Sequence, residues 1–190
     1  MERQIEHSKV LVRWVVAAGL FAAVAYLRSR EQVPIAWSTI AALTAALAGL
    51  NLIYWGILRS GAPPWLKFLT TGTDIILISL LVLFTGGSGS VFYFAYFIVL
   101  VSNSIRYGLG MAVYVATVFN LAYVGVLVLR PPGGDLTAEA VKIFLFWGVA
   151  IYAGYLAMRF QRQSRILESY EETIARLRAE LAAGKLPPVG

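Results

Sequence analysis

The sequence predicts an all-α, polytopic membrane protein with six transmembrane helices, the last of which continues into a cytoplasmic helix. Of its 190 residues, 59% are hydrophobic and only 14% are charged, which is too apolar for a soluble domain of this size. Several apolar runs reach the roughly 18–20 residues that a helix needs to cross a bilayer. Clusters of glycine and proline separate these runs, as expected for turns between helices.

The first two apolar runs predict a pair of membrane helices. The first is expected at about 10–27, and no small-residue cleavage site follows it, so it is interpreted as a retained helix and not a signal peptide. The second is expected at about 34–58. On this second helix Ala41, Ala45 and Gly49 lie four residues apart, which predicts a strip of small residues where another helix packs closely.

The third and fourth helices form a predicted hairpin around which the chain is organised. They are expected at about 67–85 and 91–106, and the segment between them is small and uncharged. Such a short turn holds two helices antiparallel, and uncharged loops suit the translocated side of a membrane. The glycines of this turn are Gly86, Gly87 and Gly89.

The last two helices are expected at about 109–129 and 138–158, and the second of them continues as a polar helix. In that continuation the apolar residues narrow to a seam with spacings of three and four, the a/d repeat of a coiled coil. The seam consists of Phe160, Leu167, Tyr170, Ile174, Leu177 and Leu181. An amphipathic helix lying on the membrane is the alternative, but the other faces mix acids and bases, which favours dimerisation.

The chain therefore divides into three predicted parts. Residues 1–158 form the six-helix bundle, and residues 159–184 form a signalling and dimerisation helix. Residues 185–190 contain two prolines and are expected to be a disordered tail.

The distribution of positive charge predicts that both termini lie in the cytoplasm. With that orientation the inner flanks carry nine Lys and Arg residues and the outer flanks carry four, as the positive-inside rule requires for the cytoplasmic membrane. The inner set is Arg3, Lys9, Arg13, Arg59, Lys67, Arg106, Arg159, Arg162 and Arg165, and the outer set is Arg28, Arg30, Arg130 and Lys142. Topology thus explains the net charge of +6, and we expect the lipid bilayer, not nucleic acid, as the partner.

A polar layer is predicted near the inner ends of the helices. Asp74 and Arg106 are ionisable residues in or beside membrane helices, where an isolated charge costs several kcal/mol. We expect Arg106 to pair with Asp74, and Asn51 or Asn103 to satisfy the remaining hydrogen bonds. Two interpretations stay open: the pair only fixes helix packing, or it is a two-state element that a signal biases.

An aromatic cluster follows the glycine turn in the outer half of the fourth helix. Its members Phe92, Tyr93, Tyr96 and Phe97 are candidates to line a pocket for an apolar ligand such as a quinone or a lipid. The alternative is that the cluster faces lipid at the interface, as membrane aromatics often do.

Catalytic chemistry is poorly represented in this composition. The chain has no cysteine and one histidine, His7. His7 is expected on the opposite side of the membrane from Ser88, so it cannot act as the general base that a nucleophilic Ser88 hydroxyl would need. Clusters of His, Asp or Glu for a metal are lacking in the sequence pattern. We therefore expect no catalytic, metal or cofactor site.

The residues from Asp74 through Thr85-Gly86-Gly87-Ser88-Gly89-Ser90, the aromatic cluster and Ile105-Arg106-Tyr107-Gly108 resemble a known family. They are similar to the polytopic membrane input domains of bacterial sensor histidine kinases, with the six-helix type of type IV pilus sensor kinases nearest in pattern. The resemblance implies a homodimer in the cytoplasmic membrane that passes a signal inward to an output domain or a partner kinase.

The expected function is accordingly that of a non-enzymatic membrane sensor or signal-transduction input module. Nine residues follow Leu181, so the chain is either a piece of a longer protein or a free-standing membrane protein that signals through a partner. The alternative is a small membrane transporter or transporter subunit, with Asn120 lining a path.

Overall fold

The computed structural model describes residues 2–61, 63–134 and 136–182, and this part of the chain is mostly α-helical and contains no strand. Side chains are described from residue 13 to residue 180, apart from residues 60, 62 and 135. The α-helices are α1 (Glu2–Ser29), α2 (Trp37–Ser60), α3 (Leu66–Phe84), α4 (Ala95–Tyr107), α5 (Leu109–Leu129) and α6 (Leu136–Ala182), and two short 3-10 helices, Gly87–Gly89 and Val91–Phe94, precede α4. The tail predicted at 185–190 lies outside the described residues.

Four helices in the described part of the chain are long and apolar enough to cross a bilayer, namely α2, α3, α5 and α6. The apolar segment Val91–Tyr107 is shorter. The outer surface is apolar as well, since Phe144 is 82% exposed and Leu129 is 73% exposed. Large apolar side chains at such exposure are typical of a surface that faces lipid. The membrane class is therefore supported, while the count of six spans stays a prediction.

The core is built around α5, which packs against α3, α4 and α6. Small residues at the contact, Gly154 of α6 and Ala112 of α5, allow the close approach of the two helices. A Cβ atom built at Gly154 of α6 would lie 2.6 Å from Cδ1 of Leu109 and 3.1 Å from Cβ of Ala112. Glycine at this position thus sets the distance between the two helices. α1 packs mainly on α2.

The turn between α3 and α4 is formed by the predicted glycines. Gly86 has a φ of 134° and Gly87 a φ of 65°, and both values favour glycine. The Ser90 hydroxyl accepts a hydrogen bond from the backbone N–H of Phe92 at 3.2 Å and shares another with Thr85 at 2.5 Å. The 3-10 turn that follows explains why α4 begins at Ala95, four residues after the predicted start.

α6 is a single helix of 47 residues without a break. At about 1.5 Å per residue it is about 70 Å long. Gln161 still contacts the bundle, because its Nε2 donates a hydrogen bond to the carbonyl oxygen of Ile105 at 3.3 Å. The unbroken continuation expected from the sequence is thus present as a helix, whereas its pairing into a coiled coil stays a prediction.

The strip of small residues on α2 does not serve as a packing site within the described chain. Ala41 and Ala45 are exposed, and no described atom lies within 4 Å of a Cβ built at Gly49. The face of α2 that turns inward carries Ile40, Leu43 and other larger side chains instead. The strip lies on the opposite side of the helix because its residues are about half a turn away.

Candidate functional site

One group of buried charged residues lies near one end of the bundle, which we call the basal end because α6 projects from it. Arg13 of α1 and Asp74 of α3 form an ion pair there, with 2.5 Å between Nη2 and Oδ1 and side-chain exposures of 8% and 12%. The guanidinium of Arg13 also lies 4.7 Å from the centroid of the Tyr54 ring. The Tyr54 hydroxyl in turn shares a hydrogen bond of 2.5 Å with Thr73.

This ion pair corrects the expectation that Arg106 is the partner of Asp74. Arg13 reaches the carboxylate because α1 lies beside α2, whose Tyr54 supports the guanidinium. The charge pattern of the sequence places Arg13 only among the positive charges that flank the helices on the inner side. The signal that was missed is its position, since apolar residues both precede and follow Arg13 in the first helix, and an ionisable residue in such a run needs a buried partner.

The two asparagines of the predicted polar layer are both buried, but neither forms the expected bond to Asp74. Asn103 accepts a hydrogen bond from the Thr71 hydroxyl at 2.9 Å and donates from Nδ2 to the carbonyl oxygen of Val99 at 2.8 Å. It therefore joins α4 to α3. Asn51 is 1% exposed, and its amide has no hydrogen-bond partner among the side chains that the structure describes.

A cavity of about 140 Å³ lies between α1, α2, α3 and α4, next to this ion pair. Its walls are apolar except for Thr44, and its charged side chains lie at the basal end. Arg13, Asp74, Asn103 and Arg106 form this floor. The walls consist mainly of Val16, Ala17, Leu20, Phe21 and Val24 of α1, Ile40, Leu43 and Leu47 of α2, Leu77, Ile78 and Leu81 of α3, and Ile98 and Val99 of α4.

Arg106 is half-buried on the cavity floor. It forms no ion pair with any carboxylate in the described part of the chain. Among the side chains that the structure describes, the floor thus carries two cations, Arg13 and Arg106, against one anion, Asp74, an excess of one positive charge. A cavity with apolar walls and a cationic floor has the polarity of a site for an amphiphile.

A second polar cluster lies at the apical end, opposite the basal end. Nζ of Lys142 lies 3.0 Å from Oε1 of Glu139 and donates to the carbonyl oxygen of Ser88 at 2.7 Å. The Tyr123 hydroxyl donates to Oε2 of Glu139 at 2.5 Å. This apical cluster (Ser88, Tyr123, Glu139 and Lys142) joins the glycine turn to α5 and α6. Its sequence signal was the Glu-x-x-Lys spacing at the start of α6, which places both side chains on one face.

Arg130 adds a further contact at the apical end. Its Nη1 donates to the carbonyl oxygen of Leu83 at 3.1 Å, where the C-terminal carbonyls of α3 lack helical partners. A Cβ atom at Gly87 would lie 3.0 Å from Cδ of Arg130. The stem of Arg130 therefore covers the glycine turn.

The aromatic cluster fills the core and does not line the cavity. Phe92, Tyr93 and Tyr96 are buried, and the Tyr93 ring makes edge-to-face contacts with Tyr96 and Phe97 at centroid distances of 5.9 and 5.7 Å. The Tyr96 hydroxyl donates to Oγ of Ser79 at 2.7 Å. The predicted pocket among these residues is therefore not seen, because the rings pack on one another. Phe94, which lies between these residues in the sequence, is 70% exposed and faces outward.

The C-terminal part of α6, residues 159–182, extends beyond the bundle, and we call it the projecting segment. The apolar seam on this segment is exposed along its described length. Its five described side chains are 45% to 63% exposed, and they are Phe160, Leu167, Tyr170, Ile174 and Leu177. The side chain of Leu181 lies outside the described residues. Arg176 and Glu180 form an ion pair of 3.1 Å on another face.

Asn120 of α5 is the residue suggested for a transport path. Its Nδ2 donates a hydrogen bond to the carbonyl oxygen of Ala116 in the same helix at 2.7 Å, and Asn120 is absent from the cavity lining.

In the described part of the chain, no three His, Cys, Asp or Glu residues lie close enough together to hold a metal ion. The chemistry that the basal cavity offers is recognition of charge and of apolar surface. Comparisons of the chain with protein-family models, with curated proteins and with solved structures found no match.

Proposed function

We propose that this chain is a membrane-embedded sensor or signal-transduction input module that acts as a homodimer. In this proposal six helices cross the cytoplasmic membrane, both termini lie in the cytoplasm, and α6 carries the signal to an output domain or partner kinase. The observation that carries the proposal is the continuity of α6. One end of this helix is part of the core, where Phe146 and Ala150 are buried, and its other end exposes an apolar seam.

A rigid helix with one end in the bundle transmits a rotation or a shift along its axis. The contact between Gln161 and the carbonyl oxygen of Ile105 joins the end of α4 to α6 at the point where α6 leaves the bundle. A displacement of α4 therefore reaches α6 directly. Arg106, the next residue of α4, faces the basal cavity, so the cavity and the projecting helix share one connecting element.

The ion pair between Arg13 and Asp74 is the proposed two-state element. It joins α1 to α3 across the cavity, and its two side chains are largely shielded from solvent. Breaking it leaves two charges in a low-dielectric environment, so the open arrangement is populated only when another group compensates them. A signal that supplies or removes such a group shifts the equilibrium between the two arrangements.

The proposed orientation, with the projecting segment in the cytoplasm, is supported by the positive charges where this segment leaves the bundle. Arg159, Arg162 and Arg165 lie there and are exposed, which favours the cytoplasmic side by the positive-inside rule. The transporter alternative predicts a polar path across the membrane. The charged side chains of the cavity lie at one end, and Thr44, a polar residue in the wall, donates its hydroxyl hydrogen to the carbonyl oxygen of Ile40 in its own helix, which favours binding over passage.

Cysteine cross-linking of the projecting segment tests the homodimer. The chain has no cysteine, so each introduced thiol is unique. In membranes, Leu167→Cys, Tyr170→Cys, Ile174→Cys and Leu177→Cys are expected to form disulfide-linked dimers quickly, because a and d side chains meet across a coiled coil. Ala175→Cys and Ala179→Cys are matched controls on other faces of the same helix. Equal rates at all six positions would exclude the seam as a dimer interface.

A further inference from the structure

We propose that the basal cavity binds a single-chain amphiphile with one negatively charged head group, namely a free fatty acid. The head group binds Arg106 and Arg13 at the floor, and the acyl chain lies between the apolar walls. As a signal for α6 this ligand depends on the proposed function, but its binding is a separate property that is measured separately.

The shape of the cavity fits one acyl chain. Along α1 the lining extends from Arg13 to Val24, which is about 17 Å at a rise of about 1.5 Å per residue. The volume is about 140 Å³, and an apolar cavity of about 150 Å³ holds a molecule the size of benzene. A space this narrow accepts part of one hydrocarbon chain and not the paired chains of a phospholipid.

The floor has unused donors that suit a carboxylate. Nε of Arg13 has no hydrogen-bond partner among the described residues, while Nη2 of the same side chain contacts Asp74. The guanidinium of Arg106 also makes no hydrogen bond to the described side chains. A guanidinium binds a carboxylate through two parallel hydrogen bonds, which an alcohol cannot reproduce.

The net charge of the floor selects the sign of the head group. The described side chains of the floor, two arginines and one aspartate, carry one positive charge in excess, which a monoanion neutralises. An ammonium head group would meet like charge from Arg106, and a neutral head group would leave that charge uncompensated in a low-dielectric site. Binding of a carboxylate also reduces how much Arg13 depends on Asp74 for charge compensation, because a second anion then lies against the same guanidinium.

Photolabelling in vesicles tests the proposal with the intact 190-residue chain. The probe is a long-chain fatty acid with a diazirine in its acyl chain, and labelled residues are identified by mass spectrometry. We expect labels on wall residues such as Leu20, Leu77 and Leu81, with competition by the unlabelled fatty acid and not by the alcohol of the same length. Labels of equal intensity on the lipid-facing residues Phe144 and Val128 would contradict a specific site.

Three variants and one control make the test specific. Arg106→Gln is expected to lower labelling of the cavity about tenfold because a charge-assisted bond is lost, and Arg106→Lys to retain part of it. Ala17→Phe fills the cavity without changing a charge and should abolish labelling. Arg159→Gln removes an exposed cation outside the cavity and should have no effect. Unchanged labelling in both Arg106→Gln and Ala17→Phe would overturn the proposal, as would equal competition by the alcohol or by a phospholipid.

Cross-linking of the α6 seam separates the two proposals. Labelling of the cavity together with a fatty acid effect on the cross-linking rates supports both. Labelling without cross-linking on the seam supports the binding site and rejects the proposed relay. Seam cross-linking without labelling of the cavity leaves the dimer in place and rejects the fatty acid.

Discussion

At the scale of single residues, the molecule depends on a small number of buried polar contacts whose loss leaves a group without compensation. The guanidinium of Arg13 contacts Asp74 and lies over the Tyr54 ring. In a membrane interior each charge of such a pair is stabilised mainly by the other. A buried hydrogen bond between uncharged side chains, from Thr71 of α3 to Asn103 of α4, lies on the neighbouring helix contact.

Removing one member of the ion pair should therefore cost more than removing both. We expect Arg13→Gln and Asp74→Asn each to lower the free energy of unfolding by about 3 kcal/mol, because the buried charge that remains loses this ion pair. The double variant should lose clearly less than the sum. Thermal or denaturant unfolding in detergent measures the three values. Strict additivity would show that the two side chains do not interact, and Arg106→Gln serves as the control for a cation at the same cavity.

The glycine turn makes a second prediction at this scale. Gly87→Ala places a side chain in a left-handed conformation and close to the stem of Arg130, so we expect a loss of about 1–2 kcal/mol in stability. Gly133→Ala is the matched control, since no described atom lies within 4 Å of its Cβ position. Equal stability of the two variants in the same unfolding assay would contradict this account of the turn.

The sequence located the important residues better than it paired them. Asp74 stands out because it is an acid in an apolar run, whatever the helices around it do. Its partner depends on how far a side chain reaches across a particular helix contact, and a linear pattern does not contain that distance. The same reason explains why Asn103 bonds to Thr71, 32 residues away, and why the aromatic side chains predicted to line a pocket pack into a core.

At the scale of elements, the helices follow the sequence closely where glycine and proline mark their ends. α5 occupies the predicted range Leu109–Leu129 because Gly108, with a φ of 82°, precedes it and Pro131 follows it. α4 starts later than predicted because the hydroxyl of Ser90 caps a 3-10 turn first. That turn has no hydrophobic signature, so periodicity alone does not reveal it.

The continuity of α6 predicts how a change in the bundle reaches the projecting segment. With Asp74→Asn in the background, we expect the cross-linking rates of Leu167→Cys and Tyr170→Cys to change relative to each other, as in a rotation of the helix. Replacing Gln163 and Ser164 by glycine should weaken this coupling because glycine interrupts a rigid helix. Rates that are unaffected by Asp74→Asn at normal protein level would contradict the relay.

At the scale of the whole molecule, composition determines the solvent in which the chain folds. The exposed surface of α5 and α6 is apolar at Leu121, Val128 and Phe144. Monomeric soluble proteins rarely expose apolar surface of this extent to water. The membrane class could thus be predicted from the sequence. The basal cavity could not, because it arises where the α1 and α2 pair meets α3 and α4, and no local pattern encodes that gap.

The proposed topology predicts which loops are accessible from each side of the membrane. Ala179→Cys on the projecting segment should react with a membrane-impermeant thiol reagent only after the cells are permeabilised. Gly133→Cys in the loop between α5 and α6 should react in intact cells, because that loop lies at the opposite end of α6. Labelling of Ala179→Cys from outside would place the projecting segment on the wrong side and exclude a cytoplasmic output.

The apical cluster has a mechanical consequence for α6. Lys142 and Glu139 anchor the beginning of this helix to the glycine turn and to Tyr123, whereas about 39 residues separate Lys142 from Leu181 at the far end, a lever of about 59 Å. With its fulcrum at the anchored end, a tilt of about one degree displaces the tip by about 1 Å over that length. In the proposed relay, a tilt that begins beside Asp74 therefore produces a larger displacement at the seam than within the bundle.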